Sequence, residues 1–194
     1  MDREPDRVYQ PAEDSQLLAE AAVEAVAPGH LALDVGTGSG YVAATLAERG
    51  ARVVGSDLNP HACEAASERG IPVVRANLVD PFRDGVFDLV VFNPPYLPTD
   101  PDEERGDWMA RALSGGEDGR AVVEPFLASV GRVLAPAGEV YLLVSTLTGV
   151  DAVRELAADA GFDAETVATE SFPFEKLVVL CLSRTAGTGG GDKA

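Results

Sequence analysis

Basic residues, and lysine in particular, are scarce in this sequence of 194 residues. It has 15 Lys and Arg against 32 Asp and Glu, a net charge of −17, and only two lysines, Lys176 and Lys193. Because binding to a phosphate backbone needs a basic surface, this composition argues against a nucleic-acid partner. An acidic, lysine-poor surface is also typical of proteins from salt-loving cells, where charge repulsion is screened. We therefore interpret the acidity as a mark of a high-salt habitat more than of the substrate.

Cysteine, histidine and long hydrophobic runs are scarce as well. Cys63 and Cys181 form no C-x-x-C pair and neither histidine lies in a metal motif, so we expect reduced thiols and no metal. The N-terminus lacks the apolar region of a secretory signal, and runs such as LVVLCL at 177–182 are too short to span a bilayer. We expect a soluble, cytoplasmic protein. Its length predicts one domain over residues 1–184, followed by a disordered glycine-rich tail at 185–194.

Short apolar segments alternate with amphipathic helices along the chain. Asp14 is interpreted as the N-cap of a helix over 15–27 whose apolar face includes Leu18 and Ala22. Further helices are predicted at 41–49, at 60–69, at 119–134 with an interruption or bend near Pro125, and at 150–161. Strands are predicted at 31–35, 52–57, 71–76, 87–92, 139–145, 164–170 and 176–182. This order predicts an α/β fold with a doubly wound, mostly parallel, seven-stranded sheet and an antiparallel last strand. The layout resembles that of class I methyltransferases.

A glycine loop, DVGTGSGY at 34–41, follows the first predicted strand. Gly36 and Gly38 let the backbone turn tightly and approach a ligand, and Asp57 ends the second strand, where a carboxylate can accept both ribose hydroxyls of an adenosine. Tyr41 is bulky where the dinucleotide fingerprint needs a small residue, and Asp34 suits an ammonium group better than a pyrophosphate. The pattern favours S-adenosylmethionine over NAD. The alternative is an ordinary tight turn beside a solvated acid.

The fourth predicted strand ends at Asn93 and is followed by Pro94, Pro95 and Tyr96. The Asn93 side-chain oxygen and the Pro94 carbonyl can together accept both hydrogens of a substrate –NH2. The prolines keep that carbonyl in place, and the ring of Tyr96 can stack on a flat substrate. We interpret the segment as a catalytic turn that positions a planar nitrogen. The alternative is a common Asn-Pro turn after a strand.

Four segments together resemble one family. NPPY at 93–96 is similar to the motif of methyltransferases that act on planar nitrogen. VYQPAEDSQLL at 8–18, SDLNPHA at 56–62 and LSGGEDGR at 113–120 resemble the short, eukaryotic and archaeal type of HemK-like release-factor methyltransferases. The resemblance implies a cofactor site made by Ser15, Asp34, Gly36, Asp57, Asn77, Leu78 and Asn93. The loop glycine Gly38 is expected to belong to the same site, and the segment 1–30 is expected to contribute to it. The family often has Asp at position 77, so we expect a weaker adenine contact from Asn77. It often has Glu at position 34, and Asp34 is shorter by one methylene.

The resemblance implies transfer of a methyl group from S-adenosylmethionine to the glutamine amide of a release factor's Gly-Gly-Gln loop, with S-adenosylhomocysteine as product. It also implies a heterodimer with a small zinc-binding activator protein. Residues 71–76 are expected to form an edge strand, and its valines Val73 and Val74, with no nearby lysine, are a candidate site for that partner; the alternative is a covered or short edge. By this resemblance we expect the chain to begin close to the catalytic domain, without the helical N-terminal domain of the bacterial enzymes.

The loop PTDPDEERGDWMARA at 98–112 has two interpretations. It can be a substrate lid in which Trp108 and Met109 cover the site, or a solvated acidic loop. Two alternatives to glutamine methylation also stay open. One is methylation of an exocyclic amino group in nucleic acid, as in N6-adenine enzymes, and the other is a non-catalytic cofactor-binding subunit.

Overall fold

The computed structural model describes Val8, residues 11–97, Trp108 and residues 113–185. In this part of the chain, five helices and seven strands alternate in the order α1 Glu13–Ala25, β1 Leu31–Val35, α2 Tyr41–Glu48, β2 Arg52–Asp57, α3 Pro60–Glu68, β3 Val73–Arg75, β4 Phe87–Phe92, α4 Val123–Val133, β5 Leu134–Ser145, α5 Val150–Asp159, β6 Phe162–Ser171 and β7 Lys176–Arg184.

The seven strands form one sheet in the order β3-β2-β1-β4-β5-β7-β6. Neighbouring strands are parallel in the part of the sheet β3-β2-β1-β4-β5, and β7 runs antiparallel to both β5 and β6. The predicted fold class is confirmed, including the antiparallel last strand. Strand order reverses between β1 and β4, and open α/β sheets bind their ligands at such a switch point.

Alternate residues of the central strands pack on opposite faces of the sheet, which gives two hydrophobic cores. Leu33 of β1 and Val90 of β4 belong to the core covered by α4 and α5. Ala32 and Leu89, one position away in each strand, belong to the core covered by α1 and α2. Because both faces are buried, β1 and β4 are continuous apolar runs. The bounds predicted for β1 and β4 are confirmed for this reason, and those predicted for β2 are confirmed as well.

Two helix predictions were wrong in their details. The helix predicted at 119–134, interrupted or bent near Pro125, is shorter than predicted, because α4 begins at Val123 and Pro125 lies in its first turn. The N–H groups of a first turn have no partner within the helix, so proline is tolerated there. Asp14 is not the N-cap of α1. The cap position is Ala12, and Asp14 is the second helical residue and is buried.

The strands next to β4 and β2 also differ from their predicted bounds. β5 begins at Leu134 and not at 139, because the Pro136–Gly138 segment continues the strand through an irregularity opposite Phe87 and Leu89. β3 is shorter than predicted and begins after Pro72, whose carbonyl accepts the N–H of Gly55 at 2.8 Å. It lies at one edge of the sheet and β6 at the other.

The C-terminal tail predicted at 185–194 lies outside the described residues except for Thr185, whose N–H donates to the carbonyl of Gly161 at 3.0 Å. Within residues 11–97 and 113–185, no helix is long and apolar enough to cross a membrane.

Candidate active site

A cavity of about 260 Å³ opens where the carboxyl ends of β1, β2 and β4 meet. The structure brings together at this cavity every residue that the sequence predicts for the site, namely Ser15, Asp34, Gly36, Gly38, Asp57, Asn77, Leu78, Asn93, Pro94, Pro95 and Tyr96. They come from five separate stretches of the chain. Parallel strands end at one edge of a sheet, and this common edge is what converts distant sequence positions into one site.

The glycine loop after β1 is shaped by two close approaches. Gly36 has a φ of +62°, and a Cβ at this position would lie 3.3 Å from Cε2 of Phe92. Gly55 lies in the neighbouring strand β2, and a Cβ there would lie 2.9 Å from Cγ2 of Thr37. The loop can therefore lie flat against β2 and β4 only because both positions lack a side chain.

Asp34 is a buried carboxylate at the end of β1, with 3% of its surface exposed. Its Oδ2 accepts hydrogen bonds from the Thr37 hydroxyl at 2.7 Å and from the N–H of Ala43 at 3.1 Å. Burial raises the pKa of Asp34 from 3.8 to about 7, and these two hydrogen bonds act in the opposite direction without cancelling the effect. A cation beside Asp34 would stabilise its ionised form, so this end of the cavity is suited to an ammonium group.

Asp57 at the end of β2 is held by backbone N–H groups on both of its oxygens. Oδ2 accepts from Gly38 at 3.0 Å and Oδ1 accepts from Asn59 at 2.8 Å. Burial raises the pKa of Asp57 above its ordinary value, and these contacts lower it. Each carboxylate oxygen has a second lone pair, so a fixed Asp57 can accept two further hydrogen bonds from a vicinal diol.

Asn77 and Leu78 follow β3 and border the cavity beside Asp57. Leu78 has a φ of +47°, in the left-handed region that side chains rarely adopt, and its carbonyl accepts the Ser56 hydroxyl at 3.3 Å. Such a conformation costs about 1 kcal/mol and persists where the surroundings determine it. Asn77 is exposed and supplies an amide that can bind a heterocycle by hydrogen bonds.

Asn93 follows β4 at the switch point, and its two amide atoms have different surroundings. Nδ2 donates to the Ser15 hydroxyl oxygen at 3.5 Å. Oδ1 is buried and accepts no hydrogen bond from the described part of the chain. An unsatisfied buried acceptor costs stability unless a ligand completes it. Asn93 therefore presents a free carbonyl-type acceptor at the cavity.

Tyr96 and the segment after it are fixed by the turn that follows β5. Thr148 donates its hydroxyl to the carbonyl of Tyr96 at 3.3 Å, and Arg120 of the LSGGEDGR segment donates to the carbonyl of Thr148 at 2.7 Å. Leu97 pairs with the chain at 113–115 through two backbone hydrogen bonds. The LSGGEDGR segment thus connects Tyr96 and Leu97, which precede the 98–112 loop, to the turn that follows β5. Trp108 lines the cavity, whereas Met109 and the remaining loop residues lie outside the described residues.

Asp14 is the site residue that the sequence interpretation assigned to another role. It lines the cavity with 3% of its surface exposed, and its Oδ2 accepts the Tyr96 hydroxyl at 3.5 Å. Burial and the nearby Asp14 carboxylate raise the pKa of Tyr96 above its ordinary value. One pattern could have identified it: Asp14 precedes Leu18 and Ala22 at intervals of four residues, so it lies on the apolar face of α1 and not at the helix start.

The described residues include no group of three or more His, Cys, Asp or Glu side chains that could hold a metal ion. Cys63 and Cys181 are not joined in a disulfide. What the cavity offers is an ammonium site, a diol site, a polar edge for a heterocycle and a free amide oxygen. A nucleoside ligand with an amino-acid end and a planar nitrogen acceptor would use all four.

Comparison with known proteins agrees with a site for a nucleoside ligand that has an amino-acid end. A family model described as a methyltransferase domain matches residues 33–94. A protein of Methanocaldococcus jannaschii, provisionally named a protein N5-glutamine methyltransferase, is 36% identical over 180 residues, covering 89% of this chain and 90% of that protein. Human methyltransferase HEMK2 is 33% identical over 193 residues, covering 92% and 90%.

A solved structure adds a likeness in three dimensions. The E. cuniculi Mtq2–Trm112 complex, described as responsible for methylation of the translation termination factor eRF1, has a chain that matches this one with a TM-score of 0.77 and 29% sequence identity. The match covers 92% of this chain and 99% of that one. With a third of the residues identical over about nine-tenths of both chains in the two sequence relatives, this protein belongs to the short HemK-like family of protein N5-glutamine methyltransferases.

Proposed function

We propose that this protein is an S-adenosylmethionine-dependent methyltransferase whose acceptor is the glutamine side-chain amide in the Gly-Gly-Gln loop of a class I release factor. The observation that carries the proposal is the Asn93 amide, whose Oδ1 is a buried acceptor without a hydrogen-bond partner among the described residues. A substrate –NH2 group can supply the missing donor. The related M. jannaschii protein and the eRF1-methylating Mtq2–Trm112 complex support the same acceptor.

The residues present fit S-adenosylmethionine. Asp34 accepts hydrogen bonds from Thr37 and Ala43, neither of which carries a positive charge, so it is suited to receive the α-ammonium group. Asp57, with both oxygens held by backbone N–H groups, would accept the ribose hydroxyls. Asn77 and Leu78 would hold the adenine, and Ser15 would contact the amino-acid end of the cofactor. Gly36 and Gly38 would lie along the part of the cofactor that connects its ribose to its amino-acid end. The cofactor supplies an electrophilic methyl group whose carbon–sulfur bond breaks as the new carbon–nitrogen bond forms.

The protein's own contribution is to position and desolvate the acceptor amide. Oδ1 of Asn93 and the carbonyl of Pro94 would accept the two N–H groups, which orients the nitrogen. Pro94 is buried, so its carbonyl is held by packing as well as by the proline ring. Tyr96 would pack against the planar amide, with its hydroxyl held by Asp14. The amide nitrogen releases one proton when it gains the methyl group. Orientation of this kind accounts for several kcal/mol of a barrier.

The test is a methyl-transfer assay with S-adenosylmethionine labelled in the methyl group. The full chain, alone and with its activator, is given an intact release factor, the same factor with the Gly-Gly-Gln glutamine changed to alanine, or nucleic acid. Label is expected on the intact factor only. Label on nucleic acid and none on the release factor would overturn the proposal, and binding of cofactor without any transfer would indicate a non-catalytic subunit.

Replacing Asn93 tests its role directly. Asn93→Ala removes the amide and is expected to lower the turnover number at least about 100-fold, because a misplaced acceptor loses its alignment. Cofactor affinity, measured by calorimetry in the same preparation, is expected to change only a few-fold. Unchanged turnover would remove Asn93 from the catalytic role.

The proposed partner is a small zinc-binding activator protein that adds to the edge of the sheet at β3. β3 pairs only with β2 among the described strands, and Val74 on this strand and Leu58 after β2 are exposed by 37% and 48%. Open backbone groups beside exposed apolar side chains are the features that strand addition uses. The related Mtq2 chain was solved as a complex with Trm112, which supports a partner of this kind.

The sheet offers a matched control for this surface. Val74→Lys places a charge on the β3 edge, and Val167→Lys places the same charge on β6 at the opposite edge, where Val167 is 42% exposed. In co-purification with the activator, Val74→Lys is expected to lose the complex and Val167→Lys to keep it. The reverse pattern would move the interface away from β3. We also propose adaptation to high salt, which the acidic composition supports, and a cytoplasmic location.

A further inference from the structure

A chain of side-chain hydrogen bonds leads from Asn93 to a buried acid. Asn93 Nδ2 donates to Ser15 Oγ at 3.5 Å, and the Ser15 hydroxyl in turn donates to Asp14 Oδ1 at 3.2 Å. The Ser15 N–H donates to the same Asp14 oxygen at 2.5 Å. Asp14 and Ser15 are exposed by 3% and 7%, so these bonds are shielded from solvent. The first turn of α1 thus contacts the catalytic turn after β4.

The direction of this chain decides which amide atom of Asn93 is available to the substrate. A serine hydroxyl is both donor and acceptor, and by itself it would accommodate either orientation of the Asn93 amide. In one orientation Ser15 accepts from Nδ2 and Oδ1 is left for the substrate. In the other, the hydroxyl donates to Oδ1, and Nδ2 takes the substrate position. A donor there would face the N–H donors of the acceptor amide and could not bind them.

Asp14 removes this ambiguity because both of its side-chain oxygens act as acceptors, Oδ1 from the Ser15 hydroxyl and Oδ2 from the Tyr96 hydroxyl. The Ser15 proton is taken by Asp14, so the Ser15 oxygen has only lone pairs left for Asn93. That oxygen therefore selects Nδ2 and leaves Oδ1 unpaired, as the structure shows. We infer that Asp14, acting through Ser15, is a positioning residue that orients the Asn93 amide with its oxygen toward the substrate. This rests on the proposed function for the identity of the substrate.

Asp14 also reaches the catalytic turn by a second contact. Its Oδ2 accepts the Tyr96 hydroxyl at 3.5 Å, so one carboxylate holds both Asn93, indirectly, and Tyr96, directly. The two branches use different oxygens and can be separated by substitution. Tyr96→Phe removes the second branch and leaves the Asp14–Ser15–Asn93 chain intact.

The experiment measures kcat, KM and cofactor affinity in the full chain with its activator for Asp14→Asn, Ser15→Ala, their double variant, Ser15→Thr, Tyr96→Phe and Glu13→Gln. Asp14→Asn has the same shape but offers an N–H donor, and Ser15→Ala deletes the intermediate hydroxyl. The double variant tests whether the two act as one unit. Glu13→Gln is the matched control, since Glu13 is an exposed acid of the same helical turn and loses the same charge.

We expect Asp14→Asn to lower kcat about tenfold with little change in KM, and Glu13→Gln to leave kcat unaffected. In the Ser15→Ala background, Asp14→Asn should cost only what Tyr96→Phe costs, because the relay is already broken. Ser15→Thr, which keeps a hydroxyl, should restore most of the kcat lost in Ser15→Ala. Equal effects of Asp14→Asn and Glu13→Gln, or full additivity of Asp14→Asn and Ser15→Ala, would overturn the inference.

The orientation of the Asn93 amide can also be tested by NMR, without turnover and without the protein substrate. The side-chain amide of Asn93 gives two ¹⁵N-correlated proton signals, identified as those missing in Asn93→Ala. Asp14→Asn and Ser15→Ala are each expected to shift these signals by more than Glu13→Gln does, with S-adenosylhomocysteine bound. If glutamine is not methylated but these shifts appear, the proposed function fails and the positioning role stands. If the shifts are absent in folded variants, the positioning role fails.

Discussion

The pKa of Asp34 predicts that cofactor binding is linked to proton release near neutral pH. Asp34 is buried at the ammonium end of the cavity, and its pKa is raised to about 7. If the ammonium group binds only the ionised carboxylate, the apparent dissociation constant doubles at pH 7 and rises by about tenfold for each pH unit below it. At pH 6 the affinity should be about 11-fold weaker than its limit above pH 7, and binding should release about 0.9 proton.

The sign of the stability effect is opposite to that of an ordinary carboxylate. Because the folded protein raises the Asp34 pKa above the unfolded value of 3.8, folding favours the protonated form. The contribution of this group to stability is fully present below pH 3.8 and is lost as the pH rises through about 7. A rise of this size corresponds to about 4 kcal/mol. Ligand-free protein above pH 7 therefore carries this cost, and a bound cation relieves it.

Calorimetric titration with S-adenosylhomocysteine between pH 5.5 and 7.5, in two buffers of different ionisation enthalpy, measures affinity and proton release together. Asp34→Asn should bind weakly and without pH dependence, while its free energy of unfolding at pH 7.5 rises. Glu20→Gln, which removes one exposed acid from the same protein, should keep the wild-type profile. The experiments use one fixed, high salt concentration so that screening is constant. A wild-type affinity that does not change between pH 6 and 7.5 would refute the reasoning, and so would an equal pH slope in Asp34→Asn.

Two further predictions concern Gly55 and Arg120, which support the site through contacts with Thr37 and Thr148. Gly55→Ala would place a Cβ 2.9 Å from Thr37 and displace the hydroxyl that binds Asp34, so we expect about tenfold weaker cofactor binding, by calorimetry, in a protein that still folds. Unchanged affinity would show that the loop adapts. Arg120→Ala removes the donor to the Thr148 carbonyl and should lower the free energy of unfolding in urea by about 1–3 kcal/mol, and turnover with it, while cofactor affinity stays within a factor of three. Arg83→Ala, an exposed arginine before β4, is the control and should change neither quantity.

Most of the fold, and the group of site residues that meets at the cavity, could be predicted because both depend on short-range patterns. A buried parallel strand is a continuous apolar run that ends at a turn, and LALDV and FDLVVF show this without ambiguity. Once the strand order is assigned, the topology places Asp34, Asp57 and Asn93 at one edge of the sheet, with no need to know a side-chain contact.

The features that could not be predicted depend on contacts between distant residues. β5 continues through Pro136 and Gly138, which look like a turn, because pairing with β4 shifts register there; a Cβ at Gly138 would lie 2.5 Å from the carbonyl of Phe87. Asp14 is a different case, because its four-residue spacing from Leu18 and Ala22 does indicate the apolar face of α1, although an acid at a helix start is ordinarily a cap. The close approach of Gly55 to Thr37 leaves no sign in the sequence of β2.

The positions that conflict with the fold's own pattern lie around one cavity. Asp34 ends an otherwise apolar buried strand, Asp14 occupies the apolar face of α1, and Leu78 adopts a left-handed backbone. Burial of the Asp34 carboxylate and the backbone conformation of Leu78 are unfavourable for folding, and all three residues border the site where a ligand can bind. A neutral substitution at Asp34 should therefore separate stability from function. Asp34→Asn should unfold at higher temperature than wild type in the absence of ligand and lose part or all of that advantage when S-adenosylhomocysteine is added. An Asp34→Asn variant that is destabilised without ligand would show that this acid supports the fold itself, and would contradict the inference that burial makes its ionised form unfavourable.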